Sequence, residues 1–110
     1  MKKKFQSSRD VIIQTDNWDK AVEFYEKTLG FPVSHRSSDL PGFETGAFCL
    51  YVEKGTRPGP VFDFLVPDME AAKSQLLAAG CTIVEEDPAL PRCYIQDPFG
   101  LVFNIEETEP

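Results

Sequence analysis

The chain has 110 residues, of which 42% are hydrophobic and 26% are charged, and this length suits one domain with its own core. Its longest apolar stretches are only a few residues, which argues against a membrane-spanning helix, since that needs about 20 apolar residues in a row. The net charge is −7, from 11 basic and 18 acidic residues, and the whole excess lies in residues 56–110. Because that half would repel a phosphate backbone, we expect no nucleic-acid partner. The only basic run, residues 2–4, favours a solvated N-terminus over a membrane-binding patch, so we expect no membrane partner either.

The first half of the chain predicts a strand, a helix and three further strands. A β-branched run over residues 11–15 is typical of a strand, and Asp16 or Asn17 can cap the helix that follows. Apolar residues at helical spacing over residues 18–29 indicate a helix that ends at Gly30. The later strands are predicted over residues 31–35, 42–45 and 47–52.

The second half repeats this order. A strand is predicted over residues 61–66, and Asp68 can cap a helix over residues 69–79 that ends at Gly80. Three more strands are predicted over residues 81–85, 92–96 and 101–105. The two predicted caps lie 51 positions apart and the two helix-ending glycines lie 50 apart, which indicates an internal repeat.

The repeat predicts an α+β fold built from two tandem βαβββ modules. We expect a single domain over residues 1–110, with modules at residues 9–53 and 61–107 joined by a Gly/Pro-rich linker at residues 54–60. The strands would form a concave mixed sheet with the helices on its outer face. The concave surface between the modules would then be the ligand site.

The cysteines predict a reducing environment. Cys49, Cys81 and Cys93 are odd in number and widely spaced, so the sequence shows neither a zinc-binding pair nor a thioredoxin-type pair. Because no secretion signal is visible either, we expect reduced thiols and a cytoplasmic protein.

Two segments carry a family resemblance. Residues 21–31, AVEFYEKTLGF, and residues 97–107, DPFGLVFNIEE, resemble the glyoxalase / bleomycin-resistance / extradiol-dioxygenase superfamily, also called the vicinal oxygen chelate superfamily. Its members usually show a Phe–Tyr pair before Leu–Gly, and an Asp–Pro–x–Gly turn before the last strand. The resemblance spans residues 9–107 and implies a cleft in which each half supplies two ligands to a divalent metal.

The four implied metal-ligand positions hold the wrong side chains here. Counted from the helix caps and the hairpin glycines, they are Asp10, Leu50, Val61 and Asn104. Valine and leucine have no lone pair to donate, asparagine is a weak donor, and catalytic sites of this kind need about three ligands. We therefore expect no bound metal and no other cofactor.

The same positions indicate which strand residues face the cleft, because side chains alternate along a strand. On that basis Cys49 and Tyr51 are predicted to face the helices, and the role of His35, the sole histidine, stays open. The mixture of apolar, amide and acidic groups on the cleft side favours a small ligand that is neutral or cationic. The predicted ligand-binding residues are Asp10, Ile12, Gln14, Phe48, Leu50, Val61, Asp63 and Asn104.

Three functions remain open at this point. The preferred one is a metal-free member of the superfamily that binds a small organic molecule, as the bleomycin-resistance branch does by resemblance, and the same resemblance implies a homodimer. The alternative is a lyase-, isomerase- or dioxygenase-like enzyme that uses acid–base chemistry or a non-standard metal set. That set would be Asp10, Asp63, Asn104 and Glu106. A third is a protein-binding module with an aromatic patch formed by Phe5, Phe43 and Phe99.

Overall fold

The computed structural model of the chain describes residues 5–90 and 92–108. These residues divide into two compact units, which we call the first and second modules. The first module holds residues 9–60, and the second holds residues 61–108 together with residues 5–8. Each unit contains one βαβββ repeat, which confirms the predicted α+β fold.

The first module has the sheet order β2-β3-β4-β1. Strand β1 runs parallel to β4, and the other two pairs are antiparallel. Its elements are β1 (Gln6–Thr15, whose residues 6–8 belong to the second module), α1 (Trp18–Glu23), a π-helical segment (Phe24–Thr28) that continues α1, β2 (Val33–His35), β3 (Gly42–Glu44) and β4 (Cys49–Lys54).

The second module repeats the arrangement with the sheet order β5-β8-β7-β6. Strand β5 runs parallel to β8, and β8, β7 and β6 pair in antiparallel fashion. Its elements are β5 (Val61–Val66), α2 (Met69–Ala78), β6 (Thr82–Asp87), β7 (Arg92–Gln96) and β8 (Val102–Glu107). No helix in residues 5–90 and 92–108 is long and apolar enough to cross a membrane.

The two helices begin differently although both caps are predicted from the same pattern. The Asp68 carboxylate accepts a hydrogen bond from the backbone N–H of Ala71 at 3.1 Å, as expected of a helix cap. Asn17 occupies the corresponding position, but its side chain makes no cap bond. Its own N–H instead donates to the Thr15 hydroxyl oxygen at 3.0 Å. The predicted side-chain cap is therefore confirmed for α2. For α1, Asn17 lies at the N-cap position as predicted, but it makes no side-chain cap bond.

Each module buries its core between its helix and one face of its sheet. The first core contains Val11, Phe43, Leu50 and Val52, with Trp18, Ala21, Val22 and Tyr25 of the helical segment packed against it. The second core contains Val66, Ala72, Cys81, Cys93, Ile95, Phe103 and Ile105. The opposite face of each sheet, turned away from its own helix, is called the helix-free face below.

The prediction that Phe48 and Leu50 face the ligand is wrong, because both pack in the first core. Two loop residues follow Gly46 before β4 begins at Cys49, whereas one follows Gly100 before β8 begins at Val102. Counting from the hairpin glycine therefore places β4 one residue out of register, and a slip of one residue exchanges the two faces of a strand. Tyr51 accordingly lies on the helix-free face.

The aromatic patch of the third hypothesis does not form as predicted. Phe43 is fully buried in the first core, and Phe5 packs against the second core. Only Phe99 of the three is strongly exposed, at 92% of its surface.

Candidate functional site

A row of polar side chains crosses the helix-free face of the second module. Asp63 lies opposite Asn104, Asn104 lies opposite Tyr94, and Tyr94 lies opposite Glu85, on the strands β5, β8, β7 and β6 in turn. Residues directly opposite on paired strands share a face, so the four side chains form one lateral row. We call it the polar row.

Asn104 holds the centre of the polar row through both ends of its amide. Its Nδ2 donates to Asp63 Oδ1 at 2.9 Å, and its Oδ1 accepts the backbone N–H of Cys93, also at 2.9 Å. Asp63 is only 7% exposed, and its Oδ2 is buried with no hydrogen-bond partner among the described residues. A buried acceptor of this kind is rare in native proteins and indicates a place where a donor is expected.

The other end of the polar row is closed by an arginine. The Arg92 guanidinium lies 4.7 Å from the centre of the Tyr94 ring, and its Nη1 donates to Glu85 Oε2 at 3.2 Å. Tyr94 itself is 1% exposed. The cation above the ring and the carboxylate beside it hold the tyrosine in a fixed position.

The helix-free face of the first module is organised around a glycine. Gly42 lies opposite both His35 and Tyr51 on the neighbouring strands. A Cβ atom at Gly42 would stand 2.8 Å from Tyr51 Cε1 and 3.1 Å from Cys49 Sγ. The tyrosine ring therefore covers the glycine backbone, and any larger residue at this position would displace it.

Hydroxyl and thiol groups surround that ring. Ser34 Oγ and Cys49 Sγ lie 3.0 Å apart, and the His35 ring meets the Tyr51 ring edge-on with centroids 6.3 Å apart. The pKa of Tyr51 is raised to about 12, and burial of the phenol is the largest cause. The hydrogen bond with Cys49 and the negative charge of Asp10 are the next largest causes. Tyr51 is therefore a neutral phenol, able to donate a hydrogen bond, throughout the physiological pH range.

Sequence reasoning missed Tyr51 and Cys49 because it assigned β4 the wrong face. The signal that would have found them is the contrast within the strand itself. Leu50 and Val52 are purely apolar, whereas Tyr51 and Glu53 carry polar groups, and the apolar set belongs under a helix.

The remaining predicted residues lie on the expected face by strand alternation with core residues. In the first module these are Asp10, Ile12 and Gln14, and in the second they are Val61, Asp63 and Asn104. Whether they contact a ligand stays a prediction.

Gln14 is held by other parts of the first module. Its Nε2 donates to Glu53 Oε1 at 2.9 Å, and its Oε1 accepts the backbone N–H of Arg57 at 3.0 Å. Its amide therefore fixes the segment that follows β4.

The second module does not offer the donor atoms of a family-type metal site. Of its two implied ligand positions, Val61 has no donor atom, and the Asn104 Oδ1 already accepts the Cys93 N–H. Across residues 5–90 and 92–108, no group of three or more His, Cys, Asp or Glu side chains is placed to hold a metal ion. The residues present do not fit the metal that the resemblance implies, so no chemical step is derived through one.

Comparisons with known proteins agree with this architecture. Among solved structures, a glyoxalase/bleomycin resistance protein/dioxygenase superfamily member from Vibrio splendidus 12B01 matches with a TM-score of 0.66 and 15% identity, over 89% of this chain and 96% of that chain. A Mn(II)-bound glyoxalase from Novosphingobium aromaticivorans matches with a TM-score of 0.65 and 16% identity, over 94% of this chain and 39% of that chain. An extradiol ring-cleaving dioxygenase from B. fuscum matches with a TM-score of 0.57 and 17% identity, over 92% of this chain and 31% of that chain.

At these identities the solved structures show a shared fold and nothing finer. The search of curated proteins gave no match. A family model described as a glyoxalase-like domain, however, matches residues 10–106, which is nearly the whole chain. Together with the paired βαβββ modules, this match shows that the chain belongs to the glyoxalase-like domain family of the vicinal oxygen chelate superfamily.

Proposed function

We propose that this protein binds a small organic molecule on its helix-free faces without the metal of its superfamily. The observation that carries the proposal is the state of the second module's two implied ligand positions. Val61 has no donor atom, and both ends of the Asn104 amide are hydrogen-bonded within the module. These two positions disfavour a metal, while the neighbouring Asp63 Oδ2 is an acceptor without a partner among the described residues, which a hydrogen-bond donor of a ligand can satisfy.

The groups on these faces favour a ligand that donates hydrogen bonds and is neutral or cationic. Asp63 Oδ2 is a buried acceptor, and the chain as a whole carries a net charge of −7. Both features disfavour an anion. Ile12 and the Tyr51 ring, which are both partly exposed, add apolar surface for the body of the ligand.

Sequestration of a toxic or signalling molecule, in the manner of the bleomycin-resistance branch, is our preferred form of this function. The prediction that both modules contribute to one cleft remains part of the proposal. A homodimer is also part of the proposal and is supported by the resemblance alone. A cytoplasmic location is supported by three buried cysteines that are all free thiols. A sedimentation mass equal to one chain at micromolar concentration would overturn the dimer.

A metal-independent acid–base enzyme is the second candidate, and Asp63 is the observation that favours it. A buried carboxylate with one unpartnered oxygen is the kind of group that exchanges a proton with a bound substrate. Conversion of the bound molecule, followed by mass spectrometry, separates this candidate from simple binding.

A thermal-shift screen against metabolites and antibiotics tests the proposal, because a ligand that binds only the folded state raises the melting temperature. We expect the same stabilising compounds with a chelator present and with Mn²⁺ or Zn²⁺ added. The Asp63→Asn variant should lose the shift, while Asp19→Asn, an exposed carboxylate on α1, should keep it. Shifts that need added metal would overturn metal independence, and the lack of any stabilising compound would overturn ligand binding.

A further inference from the structure

A cavity of about 610 Å³ lies between α2 and the end of the second module's sheet. Its apolar wall includes Met69, Cys93 and Ile105, and the last two are almost completely buried. These three residues belong to the helix side of the sheet, and of the residues around the polar row only Arg92 also lines the cavity. Its volume is within the range of pockets that hold small organic molecules.

The first module fills the corresponding space with an aromatic side chain. Trp18 is the first residue of α1, and its indole N–H donates to the backbone oxygen of Val52 at 3.0 Å. The Lys54 ammonium lies 5.1 Å from the centre of the same indole ring. In that module the space beneath the start of the helix holds a flat ring with a cation above it.

The second module lacks both the ring and the cation. Met69, the first residue of α2, replaces Trp18, and an unbranched thioether side chain is narrower than an indole. On the last strand, Ile105 replaces Val52. The register supports this, since Ile105 pairs with Phe64 and Val52 pairs with Ile13.

A carboxylate stands where the first module has its ammonium group. Two positions beyond Ile105, Glu107 corresponds to Lys54. Its Oε2 accepts the backbone N–H of Met69 at 2.8 Å, which holds the carboxylate at the mouth of the cavity. The first module therefore has a ring and a positive charge at this position, whereas the second module has a cavity and a negative charge.

We propose that this cavity is a second ligand site, which binds an aromatic amine in its protonated form. The ring would occupy the space that Trp18 fills in the first module, against Met69 and Ile105. The ammonium group would lie near Glu107. One molecule from outside the chain would thus supply both the ring that Trp18 provides in the first module and the positive charge that Lys54 provides there.

The charge around the cavity favours a cation over an anion. Its lining includes Glu70, Glu86, Glu106 and Glu107. Lys73, which also lines it, forms an ion pair with Glu86 and lies 3.7 Å from Glu70. The Arg92 guanidinium is engaged with Glu85 and the Tyr94 ring. The lining therefore keeps an excess of negative charge, which attracts an ammonium group and repels a carboxylate.

Three probes with the same indole ring test the proposal, namely tryptamine, which is cationic, tryptophol, which is neutral, and indolepropionate, which is anionic. Each is titrated into the full chain and followed by amide and methyl NMR. We expect tryptamine to shift the signals of Met69, Cys93 and Ile105 and to bind about two- to fivefold more tightly than tryptophol, as one partly solvated charge pair predicts. Indolepropionate should bind most weakly. Equal binding of all three probes, or shifts confined to the polar row, would overturn the proposal.

Substitutions then locate the binding. Met69→Trp restores the residue of the first module and should abolish tryptamine binding, while Leu77→Trp, at an exposed position on the same helix, should leave it unchanged. Glu70→Gln, at a side chain that is 85% exposed, should weaken tryptamine binding by up to about twofold without affecting tryptophol. Because Glu70→Gln has little bearing on folding, it decides the question even where Met69→Trp does not fold. Unchanged tryptamine binding in Glu70→Gln would overturn the proposal, and so would unchanged binding in a folded Met69→Trp.

Discussion

The helix-free faces of the two modules share one backbone plan and carry different chemistry. Across β1, β4, β3 and β2 the first module presents Ile12, Tyr51, Gly42 and His35. At the matching positions of β5, β8, β7 and β6 the second presents Asp63, Asn104, Tyr94 and Glu85. The two modules therefore share strand order and register, while the side chains at matching positions of their helix-free faces differ in chemistry.

Each face nevertheless contains one tyrosine, placed on different strands. In the first module Tyr51 projects from β4 and covers Gly42 of β3. In the second, Tyr94 projects from β7 and lies beside the smaller Asn104 of β8. In the first module the ring is on the last strand and the small residue on the strand before it, and in the second module the two positions are reversed. Each face therefore pairs one large side chain with one small one.

Removal of the buried ring of Tyr94 should have the largest effect on the free energy of unfolding. Tyr94→Ala should lower the free energy of unfolding by about 3–5 kcal/mol, because a large buried aromatic side chain is lost and leaves a cavity. Phe99→Ala, at a ring that is 92% exposed, should change it by less than about 0.5 kcal/mol. Urea denaturation measures both, and a small loss for Tyr94→Ala would contradict the buried position of the ring.

The next effect tests the contact between the glycine and the tyrosine of the first module. Gly42→Ala should lower the free energy of unfolding by about 1–3 kcal/mol, because the new methyl group would meet Tyr51 at 2.8 Å. In a Tyr51→Ala background the same substitution should cost much less. Equal costs in the two backgrounds would show that the ring does not lie on Gly42.

The stability of Asp63 variants shows whether the carboxylate serves ligand binding or is required by the fold. Asp63→Asn should raise the free energy of unfolding by about 1 kcal/mol, since a buried charge with an unpartnered oxygen is replaced by a neutral group of the same shape. Asn104→Asp should lower it, because two carboxylates would then lie face to face. A loss of stability in Asp63→Asn would indicate that the carboxylate is required by the fold.

The smallest effect concerns the pH dependence of stability. The pKa of Tyr51 is raised from 10.0 to about 12 in the folded protein, chiefly by burial. The group therefore contributes stability that is fully present below pH 10 and is lost as the pH rises towards 12. Denaturation curves over this alkaline range should show the loss in the natural protein and not in Tyr51→Phe. The same slope in both proteins would contradict the raised pKa of Tyr51.

The sequence allowed the fold and the second module's face to be predicted, because local signals determine them. The Asp–Pro–Phe–Gly turn at residues 97–100 sets the register of β8, so Asp63 and Asn104 were placed on the same face correctly. In the β3–β4 hairpin one more residue separates the glycine from the strand that follows, so the same counting rule failed there by one residue.

Other features depend on contacts distant in the chain and could not be predicted. The Gln14 amide is held by the backbone of Arg57, 43 positions away. The cavity beside α2 is lined by Met69, which begins α2 as Trp18 begins α1, and whether such a position is filled depends on how the helix packs on the sheet. Sequence periodicity predicts which face of a helix is buried, whereas it does not predict how completely that face is filled.

The most direct test of metal-independent binding is calorimetric titration of the compound that most stabilises the protein in the screen. The measurement is made on chelator-treated protein and on protein supplied with Mn²⁺, together with elemental analysis of protein purified without chelator. We predict the same affinity in both samples and no stoichiometric metal. Binding that appears only with Mn²⁺, or one equivalent of tightly held metal in the purified protein, would contradict the account.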